Sequence, residues 1–149
     1  MAVMKVVGII FLVIVAIAVI ILGGGIYMIH RAERDRFASI ETLQAEFPVG
    51  ADVSKVISRA EALKAGSYAL YEEAGTRKQI AMADSMFDRI DGSGRESFAG
   101  KIAELEAKFA ERRNGELAID FPVFMNARWV FVVKFADGRV TEAKSFYLD

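Results

Sequence analysis

The chain has 149 residues, with 19 Lys and Arg against 20 Asp and Glu, one histidine and no cysteine. So even a balance gives neither the electrostatic footprint of a nucleic-acid-binding surface nor a polybasic patch for lipid headgroups. Without cysteine there are no disulfides, no thiol catalysis, no cysteine metal sites and no attachment through a lipidated cysteine.

Lys5 is the only charged residue before His30. Val6–Ile29 is a run of twenty-four uncharged, mostly apolar residues. A hydrocarbon core about 30 Å thick needs about 20 helical residues, so this run predicts one transmembrane helix. Its length and its apolar continuation through Ile26–Ile29 favour a retained signal anchor over a cleaved signal peptide. Tyr27 sits where interfacial aromatics are common. The side holding the rest of the chain stays open. Arg31, Arg34 and Arg36 outweigh Lys5 and favour a cytoplasmic C-terminus, whereas a short tail before a long domain is the usual layout of an exported one. The expected location is therefore a bacterial inner membrane, single-pass, with the domain on either the periplasmic or the cytoplasmic side. Ala16, Gly23 and Gly24 share one face of the anchor, where small residues let another helix approach.

From His30 to Glu46 good helix formers continue, with Phe37, Ile40, Leu43 and Phe47 at amphipathic spacing, until Pro48 stops the helix. This stalk is expected to pack on its own domain. Asp52 is placed to cap a helix bearing Val53, Val56, Ile57, Ala60 and Leu63, with Gly66 as its C-cap. Ser67–Glu72 alternates as a short strand. Thr76 to about Ile90 reads as a helix through Ile80, Ala83, Phe87 and Ile90, broken at Asp91–Gly94. Glu96 or Ser97 opens another, with Phe98, Ile102, Leu105 and Phe109 inward, ending at Asn114-Gly115. Glu104, Glu106, Lys108, Glu111, Arg112 and Arg113 give it a solvated outer face.

The period then changes to two. Leu117, Ile119 and Phe121 alternate up to Pro122, which suggests an edge strand or its end. Asn126-Ala127 turns the chain. Arg128–Ala136 places Trp129, Phe131, Val133 and Phe135 on one face and Val130 and Val132 on the other, as in a central strand covered in part on both sides. Asp137-Gly138 is a hairpin turn, and Arg139–Leu148 returns. A two-residue turn pairs Phe135 with Val140 and Trp129 with Phe146, but sets Glu142 beside Val133. A three-residue loop with a glycine bulge avoids that clash. Both registers stand open.

No chemical constellation emerges. His30 reads as an interfacial residue, and no Ser-His-acid set exists away from it. Asp91-Gly92-Ser93-Gly94 fails as a calcium loop, because Arg89 and Gly100 occupy ligand positions. Asp84, Asp88 and Asp91 would share a helical face, which reads as solvated rather than metal-binding. The expectation is no catalytic residue, no metal, no cofactor and no small-molecule substrate.

Val49-Gly50-Ala51-Asp52-Val53-Ser54-Lys55-Val56 resembles the opening of the BamE/SmpA/OmlA-like envelope domains, and Phe135-Ala136-Asp137-Gly138-Arg139-Val140 resembles their closing hairpin. The resemblance implies two helices on an antiparallel sheet of about three strands, acting as a non-catalytic binding module in bacterial envelope complexes. Residues 76–113 would then be a helical insertion. It assigns no functional residue.

The expected organisation is an anchor over 1–29, a helical stalk over 30–47, and an α+β domain over 48–149 with helices on one face of a three- or four-stranded antiparallel sheet. The expected function is an accessory or assembly subunit of a membrane complex. Ala16, Gly23 and Gly24 would contact an integral membrane partner, and Tyr68, Tyr71, Trp129 and Tyr147 would anchor the domain to it.

Overall fold

The computed structural model describes residues 2–72, 78–85 and 97–149, with side chains from Val7 onward. The fold is α+β. Helix α1 (Ala2–Glu46) precedes α2 (Val56–Ala62), β1 (Ser67–Tyr71), β2 (Gln79–Asp84), α3 (Phe98–Ala110), β3 (Gly115–Phe124), β4 (Ala127–Ala136) and β5 (Arg139–Leu148). Two compact units meet between Arg34 and Asp35.

The first unit is the N-terminal part of α1. It carries the one helix among the described residues that is long and apolar enough to cross a membrane. Its side chains from Val7 to Met28 are exposed all round. A helix apolar on every face suits apolar surroundings.

The second unit runs from Asp35 to Asp149. Its first element is the last part of α1, where the predicted stripe faces inward: Ile40 and Leu43 are fully buried and Phe47 nearly so. They join the same core as Val56, Ile57, Leu105, Phe121 and Phe131. The domain boundary expected at residue 48 therefore moves back to Asp35, because the stalk supplies part of the core.

The sheet has five antiparallel strands in the order β2-β1-β3-β4-β5, rather than three or four. The extra strand is β2, in a stretch expected to be helical. Ile80 and Ala83 suggest a helical period, but β1 pairs with this segment from Ser67↔Asp84 to Tyr71↔Gln79. That pairing buries Ala83 beside Tyr68. Tertiary pairing here overrides alanine's helix preference. The rest of the expected helix, with its Asp88–Asp91 carboxylates and the loop to Gly94, lies outside the described residues.

Of the two readings of Pro122, an edge strand or a strand end, the second holds: β3 is the central strand and Pro122 lies near its end. Pro122 is tolerated because the β1–β3 ladder ends at Ser67↔Asp120, so no strand amide is missed beyond it. The Arg36 guanidinium donates to the Pro122 carbonyl at 3.1 Å instead. Gly66 lies against this ring: a Cβ there would come within 2.7 Å of Pro122 Cδ.

Close approach is thus the role of Gly66; the C-cap of α2 is Leu63, and the left-handed residue that ends the helix is Lys64 just after it. Lys64 has φ +62, its amide donates to Glu61 O at 2.8 Å, and the Ala65 amide donates to Ala60 O at 3.0 Å. These are the two bonds of a Schellman motif with lysine in the left-handed position. A side chain there costs about 1 kcal/mol relative to glycine. Lys64→Gly is therefore expected to raise the urea midpoint by a stabilisation of about 0.5–1 kcal/mol. A lowered midpoint would show that the lysine contributes more than its backbone costs. At the other end of α2, the Asp52 carboxylate accepts from the Ser54 amide at 2.8 Å, in a turn ahead of the helix. It does not cap the helix itself, whose N-cap is Lys55. α3 begins as expected, with the Ser97 hydroxyl accepting from the Gly100 amide.

The β4–β5 hairpin resolves the register. Asp137 and Gly138 both have positive φ (50° and 72°), giving the two-residue turn of type I′ form, and Phe135 pairs with Val140. A bulge follows at once. Lys134 meets Glu142, Val133 meets Ala143 and Trp129 meets Tyr147. The extra residue turns Glu142 away from Val133 and into a 2.6 Å ion pair with Lys134.

Candidate binding face

Strand alternation divides the sheet into two faces. Tyr68, Leu70, Leu117, Ile119, Phe121, Phe131, Val133 and Phe135 point to the helices and are buried. The intervening residues point the other way, where no described helix lies. Across that second face the register aligns Asp84, Ser67, Asp120, Val130 and Phe146 in one row. The next row is Met82, Ala69, Ala118, Val132 and Lys144.

These rows line a trough of about 680 Å³. Its floor is apolar, formed by Val130, 5% exposed, and Val132, 6% exposed. Met82, Phe146 and Leu148 stand on its rim, 39–42% exposed. A smaller cleft of about 80 Å³ adjoins it through Ser67, Asp84, Asp120 and Arg128.

The polar group at this junction is set by Asp120. Arg128 Nε lies 3.4 Å from its carboxylate. Burial pushes the carboxyl above the usual aspartate range; Arg128 and a hydrogen bond from Ser67 oppose that shift, and Asp84 adds to it. A carboxyl whose folded pKa is raised favours folding below its ordinary range, and that contribution is lost as pH rises through the folded value. A cationic partner group arriving here would relieve that cost. The trough can thus hold an apolar surface and orient it with one polar contact. Among the described residues no cluster of three His, Cys, Asp or Glu has metal-ligating geometry.

The residues singled out from sequence do not converge. Gly23 and Gly24 lie in the first unit, and a Cβ on either would meet nothing within 4 Å. Ala16 lies exposed on the same helix. Tyr68 is 1% exposed in the core, out of a partner's reach, and burial pushes its phenol pKa up. Tyr71 is half-buried and lines the trough. Trp129 and Tyr147 are on the helix face, their rings tilted at 57° with centroids 5.3 Å apart, and Phe37 of α1 lies 5.0 Å from the indole, tilted at 52°. Trp129 is therefore mainly a packing residue, and Tyr147 stays 38% exposed. Sequence reasoning missed Met82, Ala118, Asp120 and Arg128. The signal for them was the second apolar face of Val130 and Val132. His30 is exposed, its Nδ1 3.7 Å from Glu33 Oε2.

Comparison with family models, curated proteins and solved structures finds no match to this chain.

Proposed function

We propose that this protein is a non-catalytic accessory or assembly subunit of a bacterial membrane protein complex. One transmembrane helix tethers it, and a partner docks in the open trough of its sheet. The trough is the observation that carries this reading: a concave sheet face with an apolar floor and a mixed rim, where Met82, Phe146 and Leu148 alternate with Glu116, Asp120 and Arg128, suits a partner surface. Ala16, Gly23 and Gly24 supply a second contact inside the bilayer, where small residues let a partner helix approach.

Copurification in mild detergent tests this. Ala118→Arg, which fills the trough floor, is expected to remove a stoichiometric partner while the melting temperature holds within a few degrees. Met82→Lys at the exposed rim serves if the first variant folds poorly. Gly23→Leu and Gly24→Leu should weaken the same association. An unchanged partner yield in all four variants would sink the reading. Reporter fusions after Asp149 assign the side of the membrane.

A second reading keeps the anchor but makes the domain an envelope-assembly module of the BamE/SmpA/OmlA type. One observation supports it. The two segments that carry that resemblance lie side by side, with Gly50 N donating to Val140 O at 2.8 Å and Val140 N to Ala51 O at 2.9 Å. Such a module would copurify weakly with several envelope proteins rather than tightly with one.

A further inference from the structure

Four chain segments gather at one end of the domain. Arg36, where α1 enters the second unit, donates to the carbonyls of Pro122 (3.1 Å) and Lys64 (3.2 Å). Pro122 leads into the β3–β4 turn, and Arg128↔Leu148 brings the end of β5 beside it. The turn itself is Met125-Asn126.

This end is apolar in a way the other end is not. Met125 is 76% exposed and Phe124 49%, with Leu148, Tyr147 and Phe37 close by at 38–40%. Exposed Lys64 and Arg128 lie here too, Arg128 paired with Asp120, and exposed Asp149 follows Leu148. At the opposite end the β4–β5 turn is Asp137-Gly138, held by Asn114 and the Arg113 carbonyl. Among the described residues, Val49 is the large apolar side chain exposed there.

The backbone sharpens the contrast. Met125 has φ +50, a conformation that costs a large side chain about 1 kcal/mol and that glycine, asparagine or aspartate adopts more readily. The chain thus places a largely exposed methionine at a strained turn, next to a half-exposed phenylalanine. Neither side chain gains anything from the core.

Chain length limits what can cover this tip. Six residues lie between Ile29 and Arg36, and the seven steps reach at most about 25 Å when fully extended, whatever the orientation of the domain. We propose that the Phe124-Met125 tip, flanked by Tyr147, Leu148 and Lys64, is a second lipid contact that seats in the headgroup–acyl boundary of the bilayer holding the anchor. Phenylalanine and methionine supply the apolar wedge, tyrosine sits at headgroup depth, and lysine meets lipid phosphate. This rests on reading Val6–Ile29 as a membrane span.

The natural chain has no cysteine, so each introduced thiol is unique. Full-length Met125→Cys, Val49→Cys and Ile14→Cys variants are labelled with an environment-sensitive fluorophore. They are reconstituted alone into phosphatidylethanolamine–phosphatidylglycerol vesicles containing acyl-chain quenchers. Ile14 reports the span, and Val49 reports the far end of the domain. The expected result is quenching at Met125 of about half that at Ile14, with only background at Val49. Adding Phe124→Asp to the Met125→Cys chain should return its signal to the Val49 level. Quenching at Ile14 with none at Met125 overturns the lipid contact and leaves the anchor intact. A blue-shifted but unquenched Met125 probe overturns it too, because a second copy then covers the tip. No quenching at Ile14 overturns the membrane span and the proposal with it.

Discussion

A chain beginning at Pro48 is expected to lose cooperative unfolding, whereas one beginning at Asp35 keeps it. The reason lies in the last part of α1. Ile40, Leu43 and Phe47 are 0–6% exposed and belong to the core shared by the sheet, α2 and α3. Burial of three such side chains contributes about 5–9 kcal/mol. A domain's entire stability is about 5–15 kcal/mol. Deletion also exposes the facing core and removes the Arg36 bonds to Pro122 and Lys64, along with the bidentate Glu46–Arg59 pair at 2.6–2.7 Å. Urea titration followed by far-ultraviolet circular dichroism reads the result. Equal midpoints for the two chains would mean that the stalk is dispensable and that the domain does begin at Pro48.

The second large effect is on β4, where neighbouring residues face opposite ways. Phe131 is fully buried on the helix side. Phe131→Ala is expected to cost about 3–5 kcal/mol and lower the melting temperature by about 10–20 °C. Val132, next in sequence, is 6% exposed on the trough side, where none of the described helices lies. Val132→Ala is expected to cost about 1–2 kcal/mol, because little must reorganise around the gap. Thermal unfolding of the pair decides between one core and two. Equal losses would mean that the trough is already filled in the free protein, and the proposed docking surface would fall with that result.

Much of this fold was legible wherever a single period held over a long segment. α1 ends at Glu46 before Pro48, Ser97 caps α3, and β4 alternates as its sequence requires. Legibility failed where non-local pairing decided the outcome. Gln79–Asp84 contains two alanines and an Ile–Ala spacing of three, so nothing local marks it as a strand; β1 makes it one. Pro122 suggested an edge strand or a strand end, and the second held: it lies beyond the last β1–β3 pair, near the end of a central strand, a choice the sequence does not make because it does not show where the neighbouring ladder stops. Gly66 drew the cap assignment, as glycine does, while the left-handed residue was Lys64. The candidate site was half legible for the same reason. Val130 and Val132 announced a second apolar face, but Asp84, Ser67 and Asp120 become neighbours only through the register of three strands.

The distance in sequence between α1 and its partners also sets an order in time. Gln44 bonds to Ser145, 101 residues later, and Arg36 bonds to Pro122, 86 residues later. β3, β4 and β5, by contrast, follow one another through two-residue turns and can pair within microseconds of being made. At a synthesis rate of about 5–20 residues per second, α1 waits about 5–20 s for the strands it covers. During that interval Ile40, Leu43 and Phe47 have no sheet to lie against. The ribosome must deliver nearly the whole chain before the first-made part of the domain finds its place, and premature termination anywhere in β4 or β5 strands that apolar face.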